Sequence, residues 1–180
     1  MSDPEDTQKN RRIDRIRDVA FVEGLAELPV DDLRARRDEC LAEREYLSML
    51  RRLVQGRAEI LQAELVSRGD DDDHGPLVER LASILTDDEF PVSSRGEAVR
   101  VSLPDDEVLL ARRRVERLVN DAVLSNPGGL DDAVLTDAVE SLATEEQHVS
   151  EARTDVIRVL DALQDELKRR YKDDPTLALR

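Results

Sequence analysis

Apolar residues recur every seven positions along two long stretches of this chain. In the first stretch they are Leu33, Cys40, Leu47, Val54 and Leu61, and in the second they are Leu135, Leu142, Val149, Val156 and Leu163. A seven-residue apolar repeat is the d series of a heptad and is typical of helices that pack as a coiled coil. The pattern therefore predicts an all-α protein with two long helices forming a coiled coil.

The two stretches are diverged copies of each other. An offset of 102 residues aligns Glu43 with Glu145 and Arg68 with Arg170, and nine positions in this span carry the same residue type in both copies. An internal repeat indicates that one structural unit is used twice.

Breaks in the pattern divide the chain into five segments. Residues 1–29 form an N-terminal arm with a short basic helix, 30–68 the first coiled-coil helix, 69–129 a connecting segment with two shorter helices, 130–173 the second coiled-coil helix, and 174–180 a tail that is expected to fray. One connecting helix is predicted from Pro76 and the other from Asp105 to about Leu124. The long connection permits parallel or antiparallel long helices, and compactness favours the antiparallel arrangement.

Charged residues occupy a positions of the heptad where a coiled coil usually has Ile or Val. They are Arg37, Arg44 and Arg51 in the first helix, and Glu146 and Arg153 in the second. A buried charge without a partner destabilises a fold by several kcal/mol. These side chains must therefore pair, reach water or meet a ligand.

A polar stripe runs beside this seam on each helix. It includes Ser48, Gln55 and Glu59 in the first copy, and Ser150 and Asp161 in the second. A guanidinium can clamp a phosphate or lie flat on a purine, and a carboxylate can accept hydrogen bonds from a guanine edge. The stripes favour nucleotide recognition, and the alternative is that they are ordinary solvated helix faces with weak ion pairs.

Two single residues add to this picture. Gly56 follows Gln55 inside the first helix, where Gly costs roughly 1 kcal/mol relative to Ala. Close approach by a ligand or a second backbone would explain this glycine. Neutral sequence drift at an exposed position would explain it equally. Cys40, the one cysteine, lies in the d series and is expected to be a small buried hydrophobe.

The polar pattern resembles a known signature. Glu, three residues, Ser, two, Arg, three, Gln, three, Asp, once on each of two coiled-coil helices, is similar to the cyclic di-GMP signature of the RsiG family of actinobacterial anti-sigma factors. The first copy supplies Ser48, Arg51 and Gln55, with Arg44 at the Glu position and Glu59 at the Asp position. The second copy supplies Glu146, Ser150, Arg153 and Asp161, with Ile157 at the Gln position.

The resemblance implies an anti-sigma factor of actinobacterial development that sequesters a WhiG-type sigma factor, with cyclic di-GMP as part of the assembly. The ligand-binding residues that it implies are Arg44, Ser48, Arg51, Gln55, Glu59, Glu146, Ser150, Arg153 and Asp161. Arg51 and Arg153 would hold phosphates or stack on guanines, Ser48, Ser150 and Gln55 would hydrogen-bond, and Glu59, Glu146 and Asp161 would accept from guanine edges.

Two departures from the signature support an alternative. Arg44 reverses the charge of the family's Glu, although it could instead pair with Glu43, Glu45 or Glu146, and Ile157 removes a hydrogen-bonding group. The alternative is a coiled-coil adaptor, or a protein that binds a sigma factor constitutively and has lost the nucleotide.

Composition narrows the class of protein further. The net charge is −15, 38% of residues are charged and 2% are aromatic. Such a chain repels nucleic acid and anionic membrane, so neither is expected as a direct partner, whereas a basic sigma factor suits it. The absence of a signal peptide or apolar span predicts a cytoplasmic protein. No nucleophile with its base, Gly-rich phosphate loop or metal-ligand cluster is found, so neither an enzyme nor a metal site is expected.

Overall fold

The computed structural model describes residues 12–69 and 103–179, and all of their regular structure is helical. The elements, in chain order, are α1 (described over 12–17), a 3-10 turn at Val19–Phe21, α2 (Val30–Gly69), α3 (Asp105–Leu118), α4 (Asp121–Ser125), a 3-10 turn at Pro127–Gly129, α5 (Asp132–Asp173) and a 3-10 turn at Pro175–Leu179. The all-α prediction is confirmed, because the two long helices α2 and α5 pack against each other. The short helix predicted from Pro76 lies outside the described residues.

The heptad pattern identifies the buried seam of both long helices. All ten d-series residues named above are buried, each with at most 4% of its surface exposed. The helices contain 40 and 42 residues, so each is roughly 60 Å long. Acidic residues begin both of them, Asp31 and Asp32 in α2 and Asp132 in α5, where the positive end of the helix dipole favours negative charge.

The chain divides into two compact units, and both long helices pass from one unit to the other. The first unit holds the described residues up to Ser48 together with those from His148 onward, and the second runs from Met49 to Gln147. In the first unit Arg34, near the start of α2, donates from Nε to the hydroxyl of Tyr171, near the end of α5, at 3.0 Å. Within this unit the long helices are therefore antiparallel, as compactness favours.

The second unit shows the same helix direction. Arg68, near the end of α2, donates to Oδ1 of Asp132, the first residue of α5, at 2.6 Å. Here too the paired segments run antiparallel.

In each unit an arginine–glutamate pair binds a short helix to a long helix, and in the first unit Nε of Arg15 in α1 also donates to Oε1 of Glu39 in α2 at 2.8 Å. In the first unit Arg12 of α1 donates to Glu43 of α2, a carboxylate that is only 4% exposed. In the second unit Nε of Arg114 in α3 donates to Oε1 of Glu145 in α5 at 2.6 Å. Both partners of one pair are 102 positions from those of the other, so the repeat includes the short helices as well as the long ones.

Each unit also contains an arginine clasp, in which the end of one long helix holds the loop before the other. Arg170 donates to three backbone carbonyls in residues 25–28, two of them at 2.7 and 2.9 Å. Arg68 donates to two carbonyls in residues 127–130, at 2.7 and 2.9 Å. These bonds satisfy loop carbonyls that the helices themselves cannot pair.

The prediction of one continuous helix from Asp105 to about Leu124 is wrong. Helix α3 ends at Leu118, and Val119 is extended, with φ −140° and ψ 111°. The side chain of Asn120 then accepts a hydrogen bond from Val123 N at 3.0 Å and caps α4. Asparagine favours this capping geometry over the interior of a helix, which accounts for the break.

The described part of the tail, which the sequence predicts to fray, forms a hydrogen-bonded turn. The side chain of Asp174 accepts from the backbone and the hydroxyl of Thr176, at 3.0 and 2.7 Å, and so fixes the 3-10 turn Pro175–Leu179. Arg34 donates to the carbonyl of Leu177. The tail is therefore tied to the start of α2.

Candidate functional site

The second unit brings together three of the predicted site residues, Arg51, Gln55 and Glu146, which we call the second cluster. Nε of Arg51 donates to Oε1 of Glu146 at 2.6 Å, and Nε2 of Gln55 donates to the same oxygen at 3.3 Å. The side chains of Arg51 and Glu146 are 41% and 27% exposed. The cluster is a charge-assisted hydrogen-bonding group at the edge of the seam, within reach of water.

The first unit contains the corresponding first cluster, formed by Arg44, Ser48 and Arg153. The hydroxyl of Ser48 donates to the backbone carbonyl of Arg44, one helical turn earlier, at 2.7 Å. The same hydroxyl accepts from Nε of Arg153 at 3.0 Å. Ser48 therefore uses its only proton on the backbone and presents a lone pair to the guanidinium. All three residues are half-buried.

One matched position changes its charge between the two clusters. Arg51 and Arg153 match each other at the offset of 102, whereas the position of Glu146 is occupied in the first copy by Arg44. In the second cluster Arg51 donates to the carboxylate of Glu146. In the first cluster Arg153, its match, donates to the hydroxyl of Ser48. Glu43, a predicted alternative partner of Arg44, accepts from Arg12.

Three predicted site residues belong to neither cluster: Glu59 on α2, and Ser150 and Asp161 on α5. Glu59 on α2 and Asp161 on α5 are exposed, and neither forms a hydrogen bond or ion pair with another described residue. Ser150 is half-buried, as is Ile157 at the Gln position of the second copy. Among the described residues no contact accounts for Glu59 or Asp161, so their role in ligand binding stays a prediction.

The heptad and the signature do not predict two ion pairs, Arg12 with Glu43 and Arg114 with Glu145. Each glutamate immediately precedes the Glu position of the signature, at residues 44 and 146. Each pair anchors a short helix beside that position. The signal was present, because Arg12 and Arg114 share the offset of 102 that relates the two glutamates.

Within 12–69 and 103–179, no group of three or more His, Cys, Asp or Glu side chains could hold a metal ion. In the same ranges, no helix combines the length and the apolar character that crossing a membrane requires.

These features define a class of protein: an all-α protein whose two repeated long helices carry polar clusters along a coiled-coil seam. Residues 20–85 match the family model described as RsiG-like, and this match over part of the chain supports the resemblance to the RsiG family that the signature predicts. The matched range contains the first copy of the signature.

The family match also indicates what kind of protein this is. It points to an anti-sigma factor role, with a sigma factor as the implied partner. The family is associated with nucleotide-binding regulators, and together with the helical fold it favours a non-enzymatic regulator. A search of the curated proteins found no match.

Proposed function

We propose that this protein is a cytoplasmic anti-sigma factor that sequesters a WhiG-type sigma factor under the control of cyclic di-GMP. The observation that carries the proposal is the second cluster, in which residues from both copies of the signature meet at one carboxylate oxygen. The family match over residues 20–85 supports the choice of a sigma factor as partner.

The chemistry of the two clusters suits a cyclic dinucleotide. A guanidinium forms two parallel hydrogen bonds to a phosphate or stacks on a purine, which gives Arg51 and Arg153 their roles. Ser48, Ser150 and Gln55 supply neutral hydrogen bonds. Glu146, with Glu59 and Asp161 further along the helices, accepts from the N–H groups of guanine.

Net charge supports the choice of partner. A sigma factor holds DNA through basic surfaces, and a chain with a net charge of −15 attracts such a surface and repels DNA itself. Long-range attraction of this kind raises the association rate and weakens as salt is added. Sequestration would remove the basic surface from DNA.

The test is calorimetric titration of cyclic di-GMP into the full chain, alone and mixed with a WhiG-type sigma factor. Changing both Arg51 and Arg153 to Ala should abolish the binding heat while the helical circular dichroism signal is unchanged. The matched control changes Arg52 and Arg158, exposed arginines near the same seam, to Ala. This control removes the same charge and should leave binding intact. Equal binding by the two double variants would refute the assignment of the ligand residues.

A second candidate function is constitutive binding of the sigma factor without a nucleotide. Arg44 and Ile157 favour it, because they replace a carboxylate and an amide of the signature. A stable sigma complex with no binding heat for cyclic di-GMP in either titration would establish this candidate.

A further inference from the structure

One identical pair of residues in the repeat, Gln62 and Gln164, is not explained by the fold or by the signature. Nine positions carry the same residue type in both copies, and Gln62 with Gln164 is one of them. The other eight lie along the seam, in the ion pairs of the short helices, in the arginine clasps or in the signature. In the first copy these eight are Glu43, Ser48, Arg51, Val54, Leu61, Glu64, Leu65 and Arg68.

Each of these glutamines has a signature carboxylate beside it. Gln62 is exposed on α2 and Gln164 is half-buried on α5, and neither side chain hydrogen-bonds to another described residue. Glu59 and Asp161, which also lack such contacts among the described residues, lie three positions earlier. Residues three apart are neighbours on a helix surface. Each unit therefore carries one carboxylate–amide pair, Glu59 with Gln62 in the second unit and Asp161 with Gln164 in the first.

The heptad places both glutamines in the row of the signature. Gln62 lies seven residues after Gln55, and Gln164 lies seven residues after Ile157, the position that corresponds to Gln55. Residues one heptad apart return to the same side of a coiled-coil helix. Gln62 therefore lies on the side of α2 that carries Gln55, roughly 10 Å further along the helix.

A carboxylate beside an amide complements the Watson–Crick edge of guanine. This edge presents O6 as an acceptor, and N1–H and the 2-amino group as donors. A carboxylate accepts from both donors, and an amide N–H donates to O6. Adenine has a donor where guanine has O6 and an acceptor at N1, so the same pair does not match it. The chemistry of each pair therefore selects guanine over adenine.

We propose that Gln62 and Gln164 are further ligand residues, each donating its amide N–H to O6 of a guanine whose N–H groups are accepted by Glu59 or Asp161. Each pair acts within its own unit, on a guanine of its own. This inference rests on the proposed function, because the guanine belongs to the cyclic di-GMP proposed as the ligand. It extends each copy of the signature by one helical turn.

The experiment is calorimetric titration of cyclic di-GMP into the full chain and its glutamine variants, each mixed with a WhiG-type sigma factor. Gln62→Ala and Gln164→Ala should each weaken binding about fivefold at the altered site, the effect of losing one neutral hydrogen bond. Gln62→Glu and Gln164→Glu keep the size of the side chain but place a negatively charged acceptor against O6, so each should weaken binding more than its Ala counterpart. The matched controls are Gln147→Ala and Gln147→Glu, at an exposed glutamine whose match in the repeat is Glu45, and they should leave the affinity unchanged.

The outcomes separate this inference from the proposed function. Unchanged affinity in Gln62→Ala or in Gln164→Ala would overturn the inference, and the proposed function would still stand if Arg51→Ala combined with Arg153→Ala abolished binding. Glu variants that bind as tightly as the Ala variants would show that the amide does not donate to O6, and would also overturn it. So would a matching loss of affinity for the sigma factor measured without nucleotide, because the glutamines would then contact the protein partner. Absence of cyclic di-GMP binding by the wild type would overturn both.

Discussion

Replacing Arg12 by Met tests whether the buried carboxylate of Glu43 controls the stability of the first unit. Glu43 is the one buried charged residue among those that the structure describes, at 4% exposure, and the side chain of Arg12 is 26% exposed. Removing one partner of a fully buried pair costs about 3–5 kcal/mol, because the other charge stays buried. Water reaches part of this pair, so we expect a loss of about 2 kcal/mol.

The repeat supplies a comparison at the matched position. Arg114 and Glu145 have side chains that are 37% and 12% exposed, so their charges are better solvated. Arg114→Met should therefore cost less, about 1 kcal/mol, between the values for buried and surface pairs. Urea unfolding at pH 7, followed by circular dichroism at 222 nm, should show midpoint shifts of roughly 1 M and 0.5 M for a slope of about 2 kcal/mol/M.

A double variant separates the buried charge from lost packing. Arg12→Met combined with Glu43→Met removes both charges and keeps the apolar volume, so it should recover most of the stability lost by Arg12→Met alone. A double variant as unstable as the single one would refute the reasoning, as would equal losses for Arg12→Met and Arg114→Met.

Three further predictions concern single residues. A Cβ at Gly56 would meet no atom within 4 Å, so Gly56→Ala should raise stability by about 1 kcal/mol in the same urea assay; a decrease would contradict the open space. Burial raises the pKa of the Cys40 thiol to about 12. A thiol reagent at pH 7.5 should therefore label Cys40 only when urea unfolds the chain. Rapid labelling of the native chain would contradict its burial. Hydrogen bonds from Arg169 and then Arg170 lower the pKa of Glu166 to about 2 from 4.5. The stability that this carboxylate contributes is present above pH 4.5 and is lost as pH falls toward 2. The free energy of unfolding of Glu166→Gln should therefore fall less steeply with acid than that of the wild type. Parallel plots of unfolding free energy against pH would refute the pKa assignment.

The long helices could be predicted because one spacing rule determines their buried side. Leu33 and Leu163 lie near opposite ends of the pattern, and both are fully buried. The arginine clasps could not be predicted in the same way. Arg170 reaches carbonyls of residues 25–28, more than 140 positions away, and only the direction of the two helices brings these groups together.

The break at Val119 had a local signal that the apolar pattern concealed. Val119 is buried and so continues the apolar series of α3, while Asn120 beside it caps the next helix. The apolar pattern favours a helix that continues through this point, whereas Asn120 favours a new helix start. The hydrogen bond that the Asn120 side chain accepts from Val123 N determines that a new helix begins here.

The candidate site was predictable as a set of residues but not as a set of contacts. The signature identifies Arg51, Gln55 and Glu146, and the structure brings these three together. Which side chain of α5 lies opposite Arg51 depends on direction and register, and the heptad alone determines neither. The assignment of all nine residues to a ligand site stays a prediction, and for Glu59 and Asp161 no contact among the described residues joins them to a cluster.

The division of the first unit between distant parts of the chain has a consequence during synthesis. The segment of α2 up to Ser48 packs with residues that follow His148, and the clasp from Arg170 completes this unit. At about 5–20 residues per second, a ribosome needs on the order of ten seconds to travel from Ser48 to Arg170. The residues of the second unit, which ends at Gln147, are all synthesised earlier. A nascent chain therefore exposes Leu33, Cys40 and Leu47 throughout that interval, and release before Arg170 would leave the first half of α2 without the helix that buries it.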